Sequence, residues 1–260
     1  MLLRFWVTSL VIALAPATVV AQQSATTANG FRPDPTATIP KPATSASPEM
    51  RGDIFMARKM YREAAEAYQE GAKNNAILLN KTGIAYHQML ELDVAKKYYD
   101  RAIKANPKYS EAINNLGTIY YAKKSYRRAV SEYRRALRIN PGSASIYSNL
   151  GTAYFARKDY QRASENWQHA LQLDPDVFES RSTRGVLLQE RSVDERAKFH
   201  YYMAKMYAKQ GANDRALLYM RKALEEGFKE RDKFEKEPEF AGLKELPEYK
   251  EIMALEPRVL

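Results

Sequence analysis

The sequence predicts an all-α solenoid in which every repeating unit contains two helices. Residues recur every 34 positions between Ala76 and Asp176, a proline closes each unit, and apolar residues follow helical spacing. A fixed period of this length is typical of units that bury their apolar faces only against their neighbours. The recurring positions are Gly83, Gly117 and Gly151; Tyr86, Tyr120 and Tyr154; Ala95, Ala129 and Ala163; Tyr99, Tyr133 and Trp167; Ala102, Ala136 and Ala170; and Pro107, Pro141 and Pro175.

Two helices per unit follow from the spacing of the apolar residues. Ile113, Leu116 and Tyr120 form the buried stripe of a first helix. Gly117 lies inside that helix, where glycine costs about 1 kcal/mol relative to alanine. Because three units carry the same cost, we expect two helices to approach closely at these glycines. The inward face of the second helix is predicted to be Ala129, Tyr133 and Ala136.

The spacing of these residues also carries a family resemblance. The pattern is Leu116-Gly117-x-x-Tyr120, then Ala129-x-x-x-Tyr133-x-x-Ala136, then Pro141, and it resembles the tetratricopeptide repeat. The resemblance implies a right-handed solenoid of helix-turn-helix repeats over residues 49–228, a fold used for protein recognition. The expected repeats cover residues of about 45–75, 76–109, 110–143, 144–177 and 193–228.

Two segments depart from the repeat. Arg181 and Arg184 occupy slots that need buried apolar side chains, so we expect a loop or short β-hairpin near 178–191, within an insert over 178–192. Ser192 then resembles the start of a capping box that opens the next helix. Residues 229–260 are predicted to form a cap of short helices that begin at Pro238 and Pro247. Similar endings close many bacterial tetratricopeptide proteins.

The N-terminal residues predict export from the cytoplasm. Residues 1–21 contain Arg4, a short apolar run and small residues before Gln22, which is the layout of a signal peptide cleaved after Ala21. Residues 22–48 are rich in Ser, Thr, Ala and Pro and are expected to be a disordered linker. The chain has no cysteine. We therefore expect a periplasmic or secreted protein, the alternative being an uncleaved anchor in the inner membrane.

The positive charge is concentrated in the regular repeats. The whole chain has a formal net charge of +10. Residues 76–176 contain 16 Lys and Arg against 9 Asp and Glu, whereas residues 177–260 contain 17 against 16. Two interpretations stay open: a solvated face, or attraction to anionic lipid or envelope polymer. The residues expected on the outer, convex side of the second helices are Lys97, Arg101, Arg127, Arg128, Arg134, Arg135, Arg138 and Arg162.

No residue pattern in the chain predicts catalysis. The sequence has no glycine-rich phosphate loop, no nucleophile elbow and no cysteine. Its three histidines, His87, His169 and His200, lack a second histidine at metal-ligand spacing. We therefore expect a non-enzymatic protein without metal, cofactor or small-molecule substrate. Nucleic acid is a poor candidate partner because the export signal would remove the chain from it.

The resemblance implies a binding surface on the concave face, formed by first-helix residues that packing does not need. Its amides suit the backbone of an extended peptide, while Tyr121 and Phe155 could receive an apolar side chain. The alternative is that the asparagines only bond between neighbouring helices. Lys81 alone does not form a carboxylate clamp. The expected concave residues are Asn80, Lys81, Ile84, His87, Gln88, Asn114, Asn115, Thr118, Tyr121, Ser148, Asn149, Thr152 and Phe155.

The sequence therefore predicts a scaffold of the cell envelope that binds a partner protein or an extended peptide on its concave face. A rigid solenoid loses little entropy on binding, which favours this function. Two alternatives remain from the sequence. One is a surface protein that binds anionic polymer or lipid through the convex face. The other is an accessory subunit permanently assembled into a secretion or outer-membrane complex.

Overall fold

The computed structural model describes residues 46–178 and 192–255. Over these two ranges the chain is helical and contains no strand. The helices are α1 (Pro48–Ala57), α2 (Tyr61–Gly71), α3 (Ala76–Gln88), α4 (Leu92–Ala105), α5 (Ser110–Ala122), α6 (Tyr126–Ile139), α7 (Ala144–Ala156), α8 (Tyr160–Leu173), α9 (Val193–Lys209), α10 (Asn213–Glu225), α11 (Lys233–Lys236), a 3₁₀ helix (Pro238–Leu243) and α12 (Pro247–Ala254).

The helices pack as consecutive pairs, which confirms the predicted all-α solenoid. Each odd-numbered helix from α1 to α9 packs along the even-numbered helix that follows it. The pairs then stack, because α2 contacts α3, α4 contacts α5 and α6 contacts α7. First helices also touch one another, α3 with α5 and α5 with α7, so that they line one side of the solenoid.

The repeated glycines allow the two helices of a pair to approach closely, as predicted. A Cβ added to Gly117 would lie 2.7 Å from the Tyr133 ring, and one added to Gly83 would lie 2.6 Å from the Tyr99 ring. Both rings are completely buried. The cost of glycine inside a helix is therefore offset by burying a large aromatic side chain against the backbone of the partner helix.

The turn inside each of the first four pairs contains a residue in the left-handed region. These residues have φ between 57° and 62° and are Lys59, Leu90, Lys124 and Lys158. After α5, the N–H of Lys124 donates to the Tyr121 carbonyl at 2.8 Å, and the N–H of Ser125 donates to the Tyr120 carbonyl at 2.8 Å. This pair of hydrogen bonds ends the helix in a Schellman motif.

The predicted helix start at Ser192 is confirmed. The side chain of Ser192 caps α9 by accepting a hydrogen bond from the N–H of Glu195 at 3.3 Å. Asn75 caps α3 in the same way, through the N–H groups of Ile77 and Leu78. Such side-chain oxygens satisfy N–H groups that have no partner inside the helix.

The C-terminal helices pack against the last helix pair. The predicted helix starts at Pro238 and Pro247 are confirmed, the first as a 3₁₀ helix. The ring of Phe240 is buried 6.3 Å from that of Tyr201 on α9, and the hydroxyl of Tyr249 donates to the Phe234 carbonyl at 2.9 Å. The short helices thus cover the C-terminal end of the stack of helix pairs.

Several sequence predictions fall on residues outside the described ranges. These are the signal peptide over 1–21, residues 22–45 of the linker predicted over 22–48, and residues 179–191 of the loop or hairpin predicted near 178–191. Within residues 46–178 and 192–255, no helix combines the length and the apolar character needed to cross a bilayer.

Candidate functional site: a groove along the first helices

A groove of about 570 Å³ runs along the first helices α1, α3 and α5 and reaches the start of α7. Its walls combine aliphatic side chains with amides, hydroxyls and a few charges. Ile77 is the most accessible of its aliphatic residues, with 49% of its surface exposed. Further lining residues that matter below are Asp53, Ile84, Tyr99, Glu111, Asn115 and Thr118.

The asparagines of neighbouring first helices bond to one another. Nδ2 of Asn115 donates to Oδ1 of Asn80 at 3.0 Å, and Nδ2 of Asn149 donates to Oδ1 of Asn114 at 3.0 Å. Asn114 also donates to Asn115 at 3.4 Å. The expectation that packing does not need these residues is therefore corrected for Asn80, Asn114 and Asn149, which are buried. Asn115 is half-buried and lines the groove.

Two threonines of the predicted concave surface hold the rings of second helices. The hydroxyl of Tyr133 donates to Oγ1 of Thr118 at 3.2 Å, and Nε1 of Trp167 donates to Oγ1 of Thr152 at 3.3 Å. Thr118 remains half-buried in the groove, whereas Thr152 is 5% exposed. Thr152 is thus a packing residue, contrary to the expectation from the sequence.

Lys81 is neutralised inside the chain. Its ammonium lies 2.8 Å from a carboxylate oxygen of Glu49 and 2.8 Å from one of Asp53 on α1. Burial by itself would lower the pKa of Lys81, but the contacts with Asp53 and Glu49 outweigh it and raise that pKa. Burial would likewise raise the pKa of Asp53, but the hydrogen bonds from Lys81 and Tyr68 lower it. Lys81 therefore brings no uncompensated positive charge to the groove.

Phe155 does not offer its ring to a partner. It is 3% exposed and packs against Trp167 at 5.5 Å and Phe199 at 6.1 Å between ring centroids. The expectation of an accessible ring is therefore wrong, because α9 covers the position. Tyr121 is half-buried, and its ring centroid lies 5.3 Å from that of Tyr126.

Two more residues of the predicted concave surface are half-buried. Ser148 uses its carbonyl to accept hydrogen bonds from Thr152 at 2.9 Å and Trp167 at 3.2 Å. His87 lines the groove near the end of α3, and burial lowers its pKa. The ring of His87 is therefore neutral at pH 7.

The basic residues predicted on the second helices lie on α4, α6 and α8, and most are exposed. Arg135 is half-buried, and its Nη1 lies 3.4 Å from Oε2 of Glu132. Nη1 of Arg162 lies 2.9 Å from Oδ2 of Asp159. Arg101 stacks over Tyr98 with 5.0 Å between its guanidinium carbon and the ring centroid. The exposed residues are Lys97, Arg101, Arg127, Arg128, Arg134, Arg138 and Arg162.

The groove includes residues that the sequence reasoning missed. Asp53, Ile77 and Glu111 line it, together with the edge of the buried Tyr99. One signal in the sequence points to Tyr99. The residue after the repeated glycine is Thr118 or Thr152 in two repeats but Ile84 in the repeat that contains Tyr99. In the described ranges no three His, Cys, Asp or Glu side chains cluster as metal ligands would.

The repeats match known protein families. Profiles described as "Tetratricopeptide repeat" match residues 78–109, 98–130 and 144–177, and one described as "TPR repeat" matches residues 117–156. Together these matches extend without a gap over residues 78–177, from within α3 to just beyond α8. The assignment of further repeats to 45–75 and 193–228 stays a prediction, as does the exported bacterial type.

Solved structures of tetratricopeptide proteins resemble this one. MamA from Desulfovibrio magneticus RS-1 is 21% identical, with 70% of this chain and 96% of that chain covered and a TM-score of 0.48. YrrB, titled a TPR protein with an unusual peptide-binding site, is 23% identical, with coverages of 48% and 66% and a TM-score of 0.43. The first TPR of Spaghetti (RPAP3), bound to an HSP90 peptide, is 27% identical, with coverages of 40% and 83% and a TM-score of 0.39. A comparison with curated proteins finds no match.

Proposed function

We propose that this chain is a non-enzymatic scaffold of the cell envelope that binds an extended segment of a partner protein in the groove along α1, α3 and α5. The observation that carries the proposal is the groove itself, which combines the exposed aliphatic Ile77 with half-buried polar side chains of Asn115 and Thr118. Apolar contacts supply affinity, and the few polar groups orient the bound segment.

The stacked helix pairs favour this function energetically. Buried aromatic residues at the glycines and hydrogen bonds between Asn80 and Asn115 hold the first helices in place. A groove that is already formed requires little ordering of the protein when the partner binds. The partner then bears most of the entropic cost, as expected for a segment that is disordered before it binds and extended afterwards.

The test uses a pair of matched surface substitutions. Ile77 is 49% exposed in the groove, and Leu218 is 47% exposed on α10, outside the groove lining. We expect Ile77→Gln to weaken about tenfold the binding of the partner that in-cell crosslinking identifies, because apolar burial is lost. Leu218→Gln should leave the affinity unchanged. Equal effects of the two substitutions would contradict the groove as the binding site.

The envelope location rests on the layout of residues 1–21, which resembles a cleaved export signal. Fractionation of cells that express a C-terminally tagged chain tests it. We expect the tag in the envelope or medium on a protein that begins at Gln22. A full-length product in the cytoplasm would contradict this part of the proposal.

A second candidate function uses the convex face, on which most of the arginines are exposed. Arg134 and Arg138 have no ion-pair partner among the described residues. Such charges would attract an anionic lipid or envelope polymer, and binding would weaken steeply with salt. We expect Arg134→Glu with Arg138→Glu to abolish sedimentation with anionic vesicles. Lys229→Glu with Lys250→Glu, which changes the net charge equally, is the control. Equal loss in both pairs would show that only net charge matters.

A further inference from the structure

The ring of each second helix from α2 to α8 has one polar atom that points toward the first helix of its pair. In three of these four pairs, that atom bonds to the side chain of the residue directly after the glycine. These hydrogen bonds join Tyr68 Oη to Asp53 Oδ1 at 2.7 Å, Tyr133 Oη to Thr118 Oγ1 at 3.2 Å, and Trp167 Nε1 to Thr152 Oγ1 at 3.3 Å.

Tyr99 is the exception. The residue after Gly83 is Ile84, which has no polar side-chain atom, and Tyr99 Oη has no hydrogen-bond partner in the described part of the chain. Tyr99 is 0% exposed, yet it lines the groove, and the partly buried Ile84 packs against the cluster that contains it. A buried hydroxyl without a partner is costly, so its presence at a binding groove indicates a contact that a ligand completes.

The charge of the groove identifies the kind of contact. Its lining contains Asp53 and Glu111 but only one cation, Lys81, which Asp53 and Glu49 already neutralise. Glu111 is exposed and has no ion pair within the described ranges, its contact there being the Tyr109 hydroxyl at 3.3 Å. The groove is therefore acidic on a solenoid whose repeats are otherwise basic.

We propose that the groove binds a lysine or arginine side chain of the partner segment, whose cation lies between the Glu111 carboxylate and the Tyr99 hydroxyl. This inference rests on the proposed function. The aliphatic stem of the side chain would lie along Ile77 and Ile84, which line the same groove. Because Tyr99 is 0% exposed, the side chain of Ile84, which packs against the cluster that contains Tyr99, would have to move for the cation to reach the hydroxyl.

The chemistry of the two groups suits a cation. Burial and the negative charge of Glu111 raise the pKa of Tyr99, so the phenol stays neutral and its oxygen accepts a hydrogen bond. The Glu111 carboxylate supplies the countercharge, and charge-assisted hydrogen bonds of this type are stronger than neutral ones. A C-terminal carboxylate, by contrast, would meet like charge from Glu111.

The test is selection of a randomised dodecapeptide display library on the full-length chain. We expect enrichment of peptides with Lys or Arg flanked by aliphatic residues. A selected peptide, made again as a synthetic C-terminal amide, should bind roughly tenfold more weakly to Glu111→Gln and several-fold more weakly to Tyr99→Phe. Replacing the lysine of the peptide by norleucine should weaken its binding to the native chain. The norleucine peptide should then bind the Glu111→Gln variant as tightly as it binds the native chain.

Ile84→Thr offers a second, independent variant. It places a hydroxyl at the position that Thr118 and Thr152 occupy in the neighbouring repeats, so this hydroxyl should bond to Tyr99. We therefore expect the affinity for the peptide to fall several-fold and the melting temperature to rise. The matched control for peptide affinity is Glu165→Gln, which is exposed on α8 and should leave that affinity unchanged. Tyr133→Phe serves as the reference for the melting temperature alone, because the Tyr133 hydroxyl bonds to Thr118, which lines the groove.

The outcomes separate the two proposals. Selection of uncharged or acidic peptides that depend on Ile77 would leave the groove as the binding site and overturn the cation inference. Failure to enrich any sequence over the Ile77→Gln variant would contradict the proposed function itself. If Tyr99→Phe lowers the melting temperature as much as Tyr133→Phe, the Tyr99 hydroxyl has an internal partner and its role in binding is overturned.

Discussion

Nδ2 of Asn149 lies 3.0 Å from Oδ1 of Asn114 and thereby joins α7 to α5 at a buried position. The same relationship recurs one helix pair earlier, where Asn115 donates to Asn80. The amides thus form a chain of hydrogen bonds across three first helices. They fix the spacing of the helices that form the groove, since an amide both donates and accepts.

Removal of one amide should destabilise the solenoid. Asn149→Ala leaves Oδ1 of the buried Asn114 without its donor, so we expect the free energy of unfolding to fall by about 1–3 kcal/mol. Urea denaturation monitored by circular dichroism measures the change. Asn74→Ala is the control, because Asn74 is exposed between α2 and α3. A loss below that of the control would show that the hydrogen bond contributes nothing.

Substitution of a repeat glycine should be costly because of its neighbour, not because of its backbone. A Cβ at Gly117 would lie 2.7 Å from the Tyr133 ring, so Gly117→Ala should lower the free energy of unfolding by about 1–3 kcal/mol through overpacking. Gly142→Ala is the matched control, since the nearest atom to its Cβ is 3.9 Å away. Denaturant unfolding of both variants checks the difference. A stabilised Gly117→Ala variant, as helix propensity alone predicts, would contradict the close approach.

The sign of a lysine-to-glycine substitution should depend on backbone conformation. Lys124 has φ of 57°, a region that disfavours side chains, so Lys124→Gly should stabilise the chain by up to about 1 kcal/mol. Lys97→Gly, at an exposed position within α4, should destabilise it by about 0.5–1 kcal/mol. Melting temperatures of the two variants provide the comparison. Shifts of the same sign would exclude strain at Lys124.

Stability should depend on pH through His87. Burial lowers the pKa of His87 in the folded chain below its ordinary value of 6.5. As the pH falls below about 6.5, the unfolded chain binds the proton first, so the free energy of unfolding decreases until the folded pKa is reached. We expect His87→Gln to reduce the slope of the profile in this window and to leave its slope between pH 7 and 8 unchanged. Part of the slope should remain, because burial also lowers the pKa of His200. His169→Gln, at an exposed position on α8, is the control, and an identical loss of slope there would contradict the assignment to His87.

The regular part of the fold could be predicted from the sequence because identical spacing imposes identical packing. Gly117 and Tyr133 stand 16 residues apart, and their counterparts in neighbouring units keep that separation. Each ring therefore meets the same gap, which the structure confirms at Gly83 and Gly117. Helix starts with a chemical signature, such as Ser192 and Pro247, could be predicted for the same local reason.

The candidate site could be predicted only in outline. Sequence position placed Asn80, Asn149 and Phe155 on the first helices, but it did not show that neighbouring helices cover them. Exposure depends on how far one helix pair rotates against the next, and that angle results from many side chains packing together. For Phe155 the covering residue is Phe199, which is 44 positions away in the chain.

The sequence by itself determined the periodic architecture of this protein, the concentration of positive charge on its second helices and the polar character of its first helices. Only the tertiary structure decided which polar groups remain for a partner. It assigned Lys81 to Glu49 and Asp53, it closed the asparagines into hydrogen bonds between helices, and it left the Tyr99 hydroxyl without a partner in the described chain. The physical reason is that hydrogen bonds and ion pairs form over about 3 Å, and only folding brings residues from different helices within that distance.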